Sequence, residues 1–213
     1  KVKMNGEIEK IDWITGILQP SGQFIHNDKL YIVGRYNLVE YDLEKNSITN
    51  KYPFPQPVFA NDITCDESGN IYVTDGAKAS IFKFENGKFI EWINSDQLIG
   101  ANGILAEKSK LFIGTSNDGS LKVIDTHTKE ISTLFTFGVK TVIDGLVNDG
   151  NGNFLISDNA GRIFRISRDG KSELLLNTKS RQITIADFEY IPEKKLFVIP
   201  TLSDNRVMVY SIK

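Results

Sequence analysis

A short polar motif recurs along the chain every 40 to 43 residues, with Ser21, Asn61, Asn102, Asp144 and Asp187 at its centre. Each copy is followed by a run rich in β-branched and aromatic residues, then by a run in which apolar and polar residues alternate. The runs rich in β-branched and aromatic residues are 30–34, 71–75, 111–115, 154–158 and 196–200. Four of the units close with a further such run. Four antiparallel strands in a period of about 40 to 45 residues are typical of one β-propeller blade. The repeat therefore predicts an all-β fold, a β-propeller of four-stranded blades.

The same periodicity predicts a single domain over residues 1–213. We expect a partial blade at 1–14, complete blades at 15–58, 59–98, 99–140 and 141–182, and a last blade at 183–213. The last blade has three strand-like runs, whereas residues 1–14 resemble a hairpin of a third and a fourth strand. Either this hairpin completes the last blade, or two strands of a further blade precede Lys1. We favour the second interpretation, because the hairpin has two strands where one is needed.

Composition narrows the classes of partner. The formal net charge is -2 and 40% of the residues are hydrophobic, so no basic excess attracts nucleic acid. No apolar run approaches the roughly 18 residues that suggest a membrane-spanning helix. The sequence therefore predicts neither a nucleic-acid partner nor insertion into a membrane. Cys65 is the only cysteine and lies in an apolar run, which favours a buried small side chain over a reactive thiol.

The motif residues are the candidates for function. Equivalent positions of successive blades point at one axis, so the five central residues should form a polar ring at one end of the channel. Their side-chain oxygens suit a hard cation such as Ca²⁺ or Mg²⁺, whereas zinc more often recruits His or Cys. The strand order places His26 and His127 at the opposite end of the blades.

A structural interpretation competes with this functional one. An Asn or Asp that opens an innermost strand also caps its own backbone or bridges two blades, and we weigh the two interpretations evenly at each position. For Asp62, Asp75 and Asp158, which lie at or beside strand ends, we favour the structural role.

Three of the motifs carry a family resemblance. Phe59-Ala60-Asn61-Asp62, Ala101-Asn102-Gly103-Ile104 and Ile143-Asp144-Gly145-Leu146 occur in consecutive repeats. In this order they resemble the family of senescence marker protein, gluconolactonase and luciferin-regenerating enzyme. The resemblance covers nearly the whole chain, and it implies a six-bladed propeller that holds one divalent cation at the channel mouth.

The resemblance also implies roles for single residues. It makes Asn102 and Asp144 metal ligands and makes Asn61 a contact to substrate or to metal-bound water. A glutamate ligand of the family has no counterpart in this sequence. Phe59-Ala60 stands where the family often has an arginine that binds polar substrates, and Lys140 or Arg181 is then the candidate for that role.

These observations favour a metal-dependent hydrolase of the lactonase or esterase type that acts on a small molecule at the channel mouth. Asp144 is the candidate catalytic residue, because a carboxylate beside a cation can ligate it and move a proton. Asn61, Lys140, Arg181 and Asp187 are the candidate substrate-binding residues. The alternative is a propeller that binds a ligand or a protein without turnover, a common use of this fold.

Overall fold

The predicted all-β propeller is confirmed by the computed structural model, which describes residues 1–55, 59–138 and 141–212. Blade 1 consists of β1 (Gln23–His26), β2 (Lys29–Val33), β3 (Asn37–Asp42) and β4 (Ser47–Pro53). Blade 2 consists of β5 (Ala60–Cys65), β6 (Ile71–Asp75), β7 (Ser80–Glu85) and β8 (Lys88–Asn94). Blade 3 consists of β9 (Ala101–Glu107), β10 (Lys110–Thr115), β11 (Ser120–Asp125) and β12 (Ile131–Thr136).

Blade 4 consists of β13 (Ile143–Asn148), β14 (Phe154–Asp158), β15 (Arg162–Ile166) and β16 (Ser172–Asn177). Within the described residues, blade 5 has three strands, β17 (Glu189–Ile191), β18 (Leu196–Pro200) and β19 (Val207–Ser211). Short 3₁₀ turns occur at Asp96–Leu98, Lys179–Arg181 and Pro192–Lys194. None of the helical segments in this part of the chain has the length and apolar composition needed to cross a bilayer.

Each blade is an antiparallel meander in which the strands pair in chain order. The first strand of each blade lies beside the first strand of the next, so β1, β5, β9, β13 and β17 surround the central channel. Each sheet lies inside one predicted repeat unit, although the unit boundaries themselves stay predictions. Within residues 1–14 the structure shows one isolated bridge, between Val2 and Ile8.

The core lies between the blades. Every residue of β6 and of β14 is buried, because a middle strand has a neighbouring blade against each face. Phe82 packs in the cluster between blades 1 and 2, and Phe154 packs between blades 3 and 4. In the outermost strand β4, five of the seven residues are exposed, as expected for a strand at the rim.

The face of blade 1 that points away from blade 2 is covered by the N-terminal segment. The Trp13 ring meets the Tyr41 ring edge-on, with centroids 5.4 Å apart, and its Nε1 donates to Asn46 Oδ1 at 3.0 Å. Trp92 of β8 meets Tyr72 in the same way, also at 5.4 Å. The N-terminal segment thus packs on blade 1 through the same type of aromatic pair.

Candidate functional site

A cavity of about 390 Å³ lies at one end of the channel, and we call it the mouth cavity. Its polar lining comes from the repeated motifs and the loop after β18. The residues concerned are Ser21, Asn61, Asp62, Asn102, Asp144, Asp187 and Thr201. The structure therefore brings together the predicted residues Asn61, Asn102, Asp144 and Asp187. No lysine, arginine or histidine is found among the described residues that line this cavity.

A β-bulge in each of three innermost strands positions these side chains. In β5, Asn61 and Asp62 together lie opposite the single residue Thr74. Asn102 and Gly103 in β9 lie opposite Gly114 in the same way, as do Asp144 and Gly145 in β13 opposite Ser157. A bulge releases a strand from strict alternation and redirects its side chains. The motif residues therefore face the channel mouth instead of entering the cores between the blades.

Hydroxyl groups opposite two of the bulges join neighbouring blades. Thr74 Oγ1 accepts a hydrogen bond from Asp62 N at 3.1 Å and donates to Asn102 O, in blade 3, at 2.8 Å. Ser157 Oγ accepts from Gly145 N at 2.7 Å and donates to Ala186 O at the entry to blade 5. Sequence reasoning missed both residues, although each directly precedes the Asp that ends its strand.

Removing the Thr74 hydroxyl should destabilise the propeller. We expect Thr74→Val, which keeps the shape of the side chain, to lower the free energy of unfolding by about 2 kcal/mol, because it leaves a buried N–H and a carbonyl without partners. Urea denaturation measures the change. The exposed Thr15→Val in the N-terminal segment is the control, because the Thr15 hydroxyl makes no hydrogen bond to a described residue, and it should cost well under 1 kcal/mol. Equal effects of the two substitutions would show that the Thr74 bridge contributes nothing.

The carboxylate of Asp62 also connects two blades. Its Oδ1 accepts from Ile63 N at 2.8 Å, and its Oδ2 accepts from Ile104 N of blade 3 at 3.0 Å. The structural role expected for Asp62 is therefore present, but the same side chain also lines the mouth cavity. Asp75 accepts from the backbone N–H groups of Phe59, Ala77 and Lys78 and shapes its own loop.

The carboxylates of Asp62, Asp144 and Asp187 at the mouth are partly buried, and they lie near enough for their charges to interact. Burial raises the pKa of Asp62 well above its usual range, and the charges of Asp187 and Asp144 raise it further. Burial, followed by the charge of Asp187, raises the pKa of Asp144 to about 6, against the opposing effect of the Asn102 side chain. Burial likewise raises the pKa of Asp187. Such a site gains stability from a proton or a cation, since either relieves the repulsion.

One buried acceptor at the mouth lacks a partner. Asn102 Oδ1 makes no hydrogen bond to any described residue, although buried polar atoms are normally satisfied. The Asn102 oxygen and the carboxylates form an all-oxygen donor set of the type that Ca²⁺ and Mg²⁺ prefer. Over residues 1–55, 59–138 and 141–212, no three His, Cys, Asp or Glu side chains are placed to share one metal ion. A cation held by Asn102 and Asp144 would thus take most of its ligands from water.

The two candidate anion-binding residues have different outcomes. Lys140 lies outside the described residues. Arg181 is exposed in the 3₁₀ turn Lys179–Arg181 and is not part of the mouth lining that the structure describes. Their proposed contact to substrate stays a prediction. His26 ends β1 and His127 follows β11, at the opposite end of the blades from the mouth.

Comparison with known proteins supports the fold. No protein-family model matches the chain, and no curated protein matches its sequence significantly. Among solved structures, virginiamycin B lyase from Staphylococcus aureus is similar with a TM-score of 0.68 at 15% identity, over 91% of this chain and 70% of that chain. Regucalcin from Agrobacterium tumefaciens, described as a calcium-binding protein, has a TM-score of 0.67 at 12% identity, over 93% of this chain and 76% of that one.

A chain of a nidogen/laminin complex is also similar, with a TM-score of 0.68 at 13% identity, over 90% of this chain and 80% of that chain. At these identities the likeness shows a β-propeller and does not identify a family. The resemblance to the gluconolactonase family stays a prediction.

Proposed function

We propose that the mouth cavity binds Ca²⁺ or Mg²⁺ through Asn102 and Asp144 and hydrolyses a small lactone or ester. The observation that carries this proposal is the unpartnered Asn102 Oδ1 beside partly buried carboxylates, in a lining without a described basic residue. An acidic, oxygen-rich cavity attracts a cation, and the cavity is open enough to admit a small molecule as well.

The residues of the mouth would divide the work. When bound, a divalent cation polarises a carbonyl group and lowers the pKa of a water molecule. The Asp144 carboxylate would hold the cation with one oxygen, and its other oxygen would be placed to accept a proton from the water molecule. Asn61 lines the same cavity and offers an amide to orient the substrate. The bridges of Asp62 and Thr74 hold the backbone of blade 3 in place.

The fold neighbours give limited support. One is a lyase and another is described as a calcium-binding protein, so propellers of this shape include both an enzyme and a cation-binding protein. The main support for the proposal is the set of oxygen donors at the mouth, namely the Asn102 amide oxygen and the carboxylates.

Cation binding tests the proposal first. A ligand that binds only the folded state stabilises it, by about 2.7 kcal/mol at roughly 100 times its Kd. Titration with Ca²⁺ and with Mg²⁺ should therefore raise the melting temperature of the wild type. Asp144→Asn should lose most of the rise. Asp169→Asn, which removes a carboxylate in the β15–β16 hairpin, is the control and should keep the full rise in melting temperature.

Hydrolysis is the second measurement. A panel of simple lactones and 4-nitrophenyl esters should be hydrolysed in the presence of the stabilising cation, and Asp144→Asn should lower kcat/KM by at least about 100-fold. Cation binding without hydrolysis of any compound would favour the alternative, a propeller that binds without turnover. The proposal fails if neither cation stabilises the wild type, or if Asp144→Asn retains the full rise.

A further inference from the structure

A second cavity adjoins the mouth cavity, and we call it the side cavity. Its volume is about 270 Å³, and its lining is Gln19, Ser21, Arg35, Phe59, Ala60 and Asn61. Ser21 and Asn61 also line the mouth cavity, so the two cavities are neighbours on either side of these residues. A small molecule that spans both cavities would pass beside Ser21 and Asn61.

The side cavity carries the opposite charge. No aspartate or glutamate is among its described lining residues, and Arg35 gives it a positive charge. The Arg35 guanidinium lies 5.5 Å from the centroid of the Phe59 ring. Within the described ranges it makes no hydrogen bond and no ion pair, whereas Arg162 and Arg206 each bind a nearby aspartate. Arg35 is therefore a cation without a described acidic partner.

The backbone holds Arg35 and Phe59 independently of each other. Arg35 follows β2, and its N–H donates to Leu18 O at 2.8 Å. Phe59 precedes β5, and its N–H donates to Asp75 Oδ2 at 3.0 Å. Phe59 is 59% exposed, which leaves its side chain accessible to a ligand. Two anchored side chains thus present a guanidinium and an aromatic face at one side of the mouth.

We propose that Arg35 and Phe59 form a subsite for a carboxylate, so that the site takes acidic substrates, namely small esters or lactones that carry a carboxylate group. This inference rests on the proposed hydrolase function. A guanidinium presents paired N–H donors that match the two oxygens of a carboxylate. The Phe59 face then packs against the carbon chain or ring that bears this group. The carbonyl to be cleaved lies towards Asp144, and the anionic end lies at Arg35, away from the repelling carboxylates.

Binding of a matched pair of probes tests the subsite without any catalysis. Benzoate and benzamide have nearly the same shape and differ in charge. We expect benzoate to bind the wild-type protein and benzamide to bind at least about tenfold more weakly, because hydrogen bonds to charged groups are the stronger ones. NMR titration measures both affinities. Arg35→Gln should lower the affinity for benzoate about tenfold and leave that for benzamide unchanged.

A matched control separates a local effect from a loss of net charge. Lys78 lies in the β6–β7 loop, which is the equivalent loop of blade 2, and it is absent from the described lining of the side cavity. Lys78→Gln should bind benzoate as the wild type does. The subsite is disproved if wild type and Arg35→Gln bind benzoate equally, or if Lys78→Gln loses as much affinity as Arg35→Gln does.

Hydrolysis separates this inference from the function on which it rests. The mono-4-nitrophenyl ester of glutaric acid carries a carboxylate, and 4-nitrophenyl butanoate does not. Arg35→Gln should lower kcat/KM for the charged ester about tenfold and leave that for the neutral ester unchanged. If hydrolysis depends on the cation but Arg35→Gln lowers kcat/KM equally for the charged and the neutral ester, or for neither, then the subsite alone is disproved. Arg35-dependent binding of benzoate without hydrolysis of either ester would overturn the hydrolase and support the subsite.

Discussion

Replacing Gly103 by alanine should lower the free energy of unfolding by about 3 kcal/mol or more, because the added methyl group has no space and the obstacle is backbone. A Cβ at this position would lie 2.0 Å from Asp144 O and 3.2 Å from Leu146 Cβ. Gly103 belongs to the bulge of β9, where blade 3 meets blade 4 directly at the channel. Relief would require the two blades to move apart, which would open the core between them. Urea denaturation measures the loss.

Gly87 provides the control for this substitution. It lies in the β7–β8 hairpin with φ +78, and a Cβ there meets nothing within 4 Å. Gly87→Ala should therefore cost only the strain of the left-handed backbone, about 1 kcal/mol. If Gly103→Ala costs no more than Gly87→Ala, then blades 3 and 4 do not approach as closely as the structure indicates.

Replacing Glu40 by alanine should lower the free energy of unfolding by about 2 to 3 kcal/mol, since it removes the buried acceptor of several hydrogen bonds, while its charged partner Lys29 is 39% exposed and stays solvated. Glu40 in β3 is 3% exposed. Its Oε1 accepts from Lys29 Nζ at 2.8 Å, from Thr49 Oγ1 at 2.7 Å and from Asn50 Nδ2 at 3.0 Å. Its Oε2 accepts from the hydroxyl of Tyr52 at 3.2 Å. Alanine would leave a hole and several polar groups without their acceptor.

Glu173 gives the matched control. Its carboxylate pairs with Arg165 at 2.8 Å, but 62% of the Glu173 side chain is exposed. Exposed ion pairs contribute about 0 to 1 kcal/mol, so Glu173→Ala should unfold at nearly the same urea concentration as the wild type. Equal losses from Glu40→Ala and Glu173→Ala would contradict the buried network around Glu40.

The contribution of Glu40 should depend on pH in a definite direction. Burial alone would raise the pKa of Glu40, but hydrogen bonds from Lys29, Thr49 and Asn50 outweigh it and lower the pKa to about 2. A folded-state pKa below the unfolded value, about 4.3 for Glu, means that the stabilisation is complete above that value. It is lost as the pH falls through the interval down to about 2.

Glu40→Gln isolates this dependence, because glutamine keeps the shape and cannot titrate. The difference in unfolding free energy between wild type and Glu40→Gln should be constant from pH 7 to about 5 and narrow steadily below that. Urea denaturation at a series of pH values measures it. A difference that stays constant down to pH 3 would mean that the carboxylate of Glu40 is not specifically stabilised in the folded protein.

The fold was predictable from the sequence because it depends on a repeated pattern. Each unit repeats its strands and turns, and alternation within a strand is enough to assign a blade. The predicted mouth residues Asn102 and Asp144 were found for the same reason, since equivalent positions in a ring converge on the axis.

Other features depend on contacts that the pattern does not contain. For Asp62 the sequence favoured a structural role over a functional one, yet the bulge places it in the lining of the mouth cavity as well. Alternation cannot show which of two adjacent residues in a bulge faces the channel. The Glu40 network joins side chains from three strands of blade 1, and each looks like an ordinary polar residue in its own strand. Arg35 becomes a candidate binding residue only in the folded chain, where it lies beside Phe59 and has no ion pair with a described aspartate or glutamate.

The bulges also bear on how this protein can change over evolutionary time. In a regular strand, each side chain belongs either to the core or to the surface. A substitution that changes the chemistry of such a strand therefore tends to change its stability too. The bulges at Asn61, Asn102 and Asp144 separate the two, because the residue that faces the mouth is not part of the pleated pattern that builds the blade. Substitutions at these three positions can therefore change the chemistry of the mouth while the blades keep their structure. Gly103, which lies beside Asn102 in the same bulge, has no space for a side chain and cannot vary in this way.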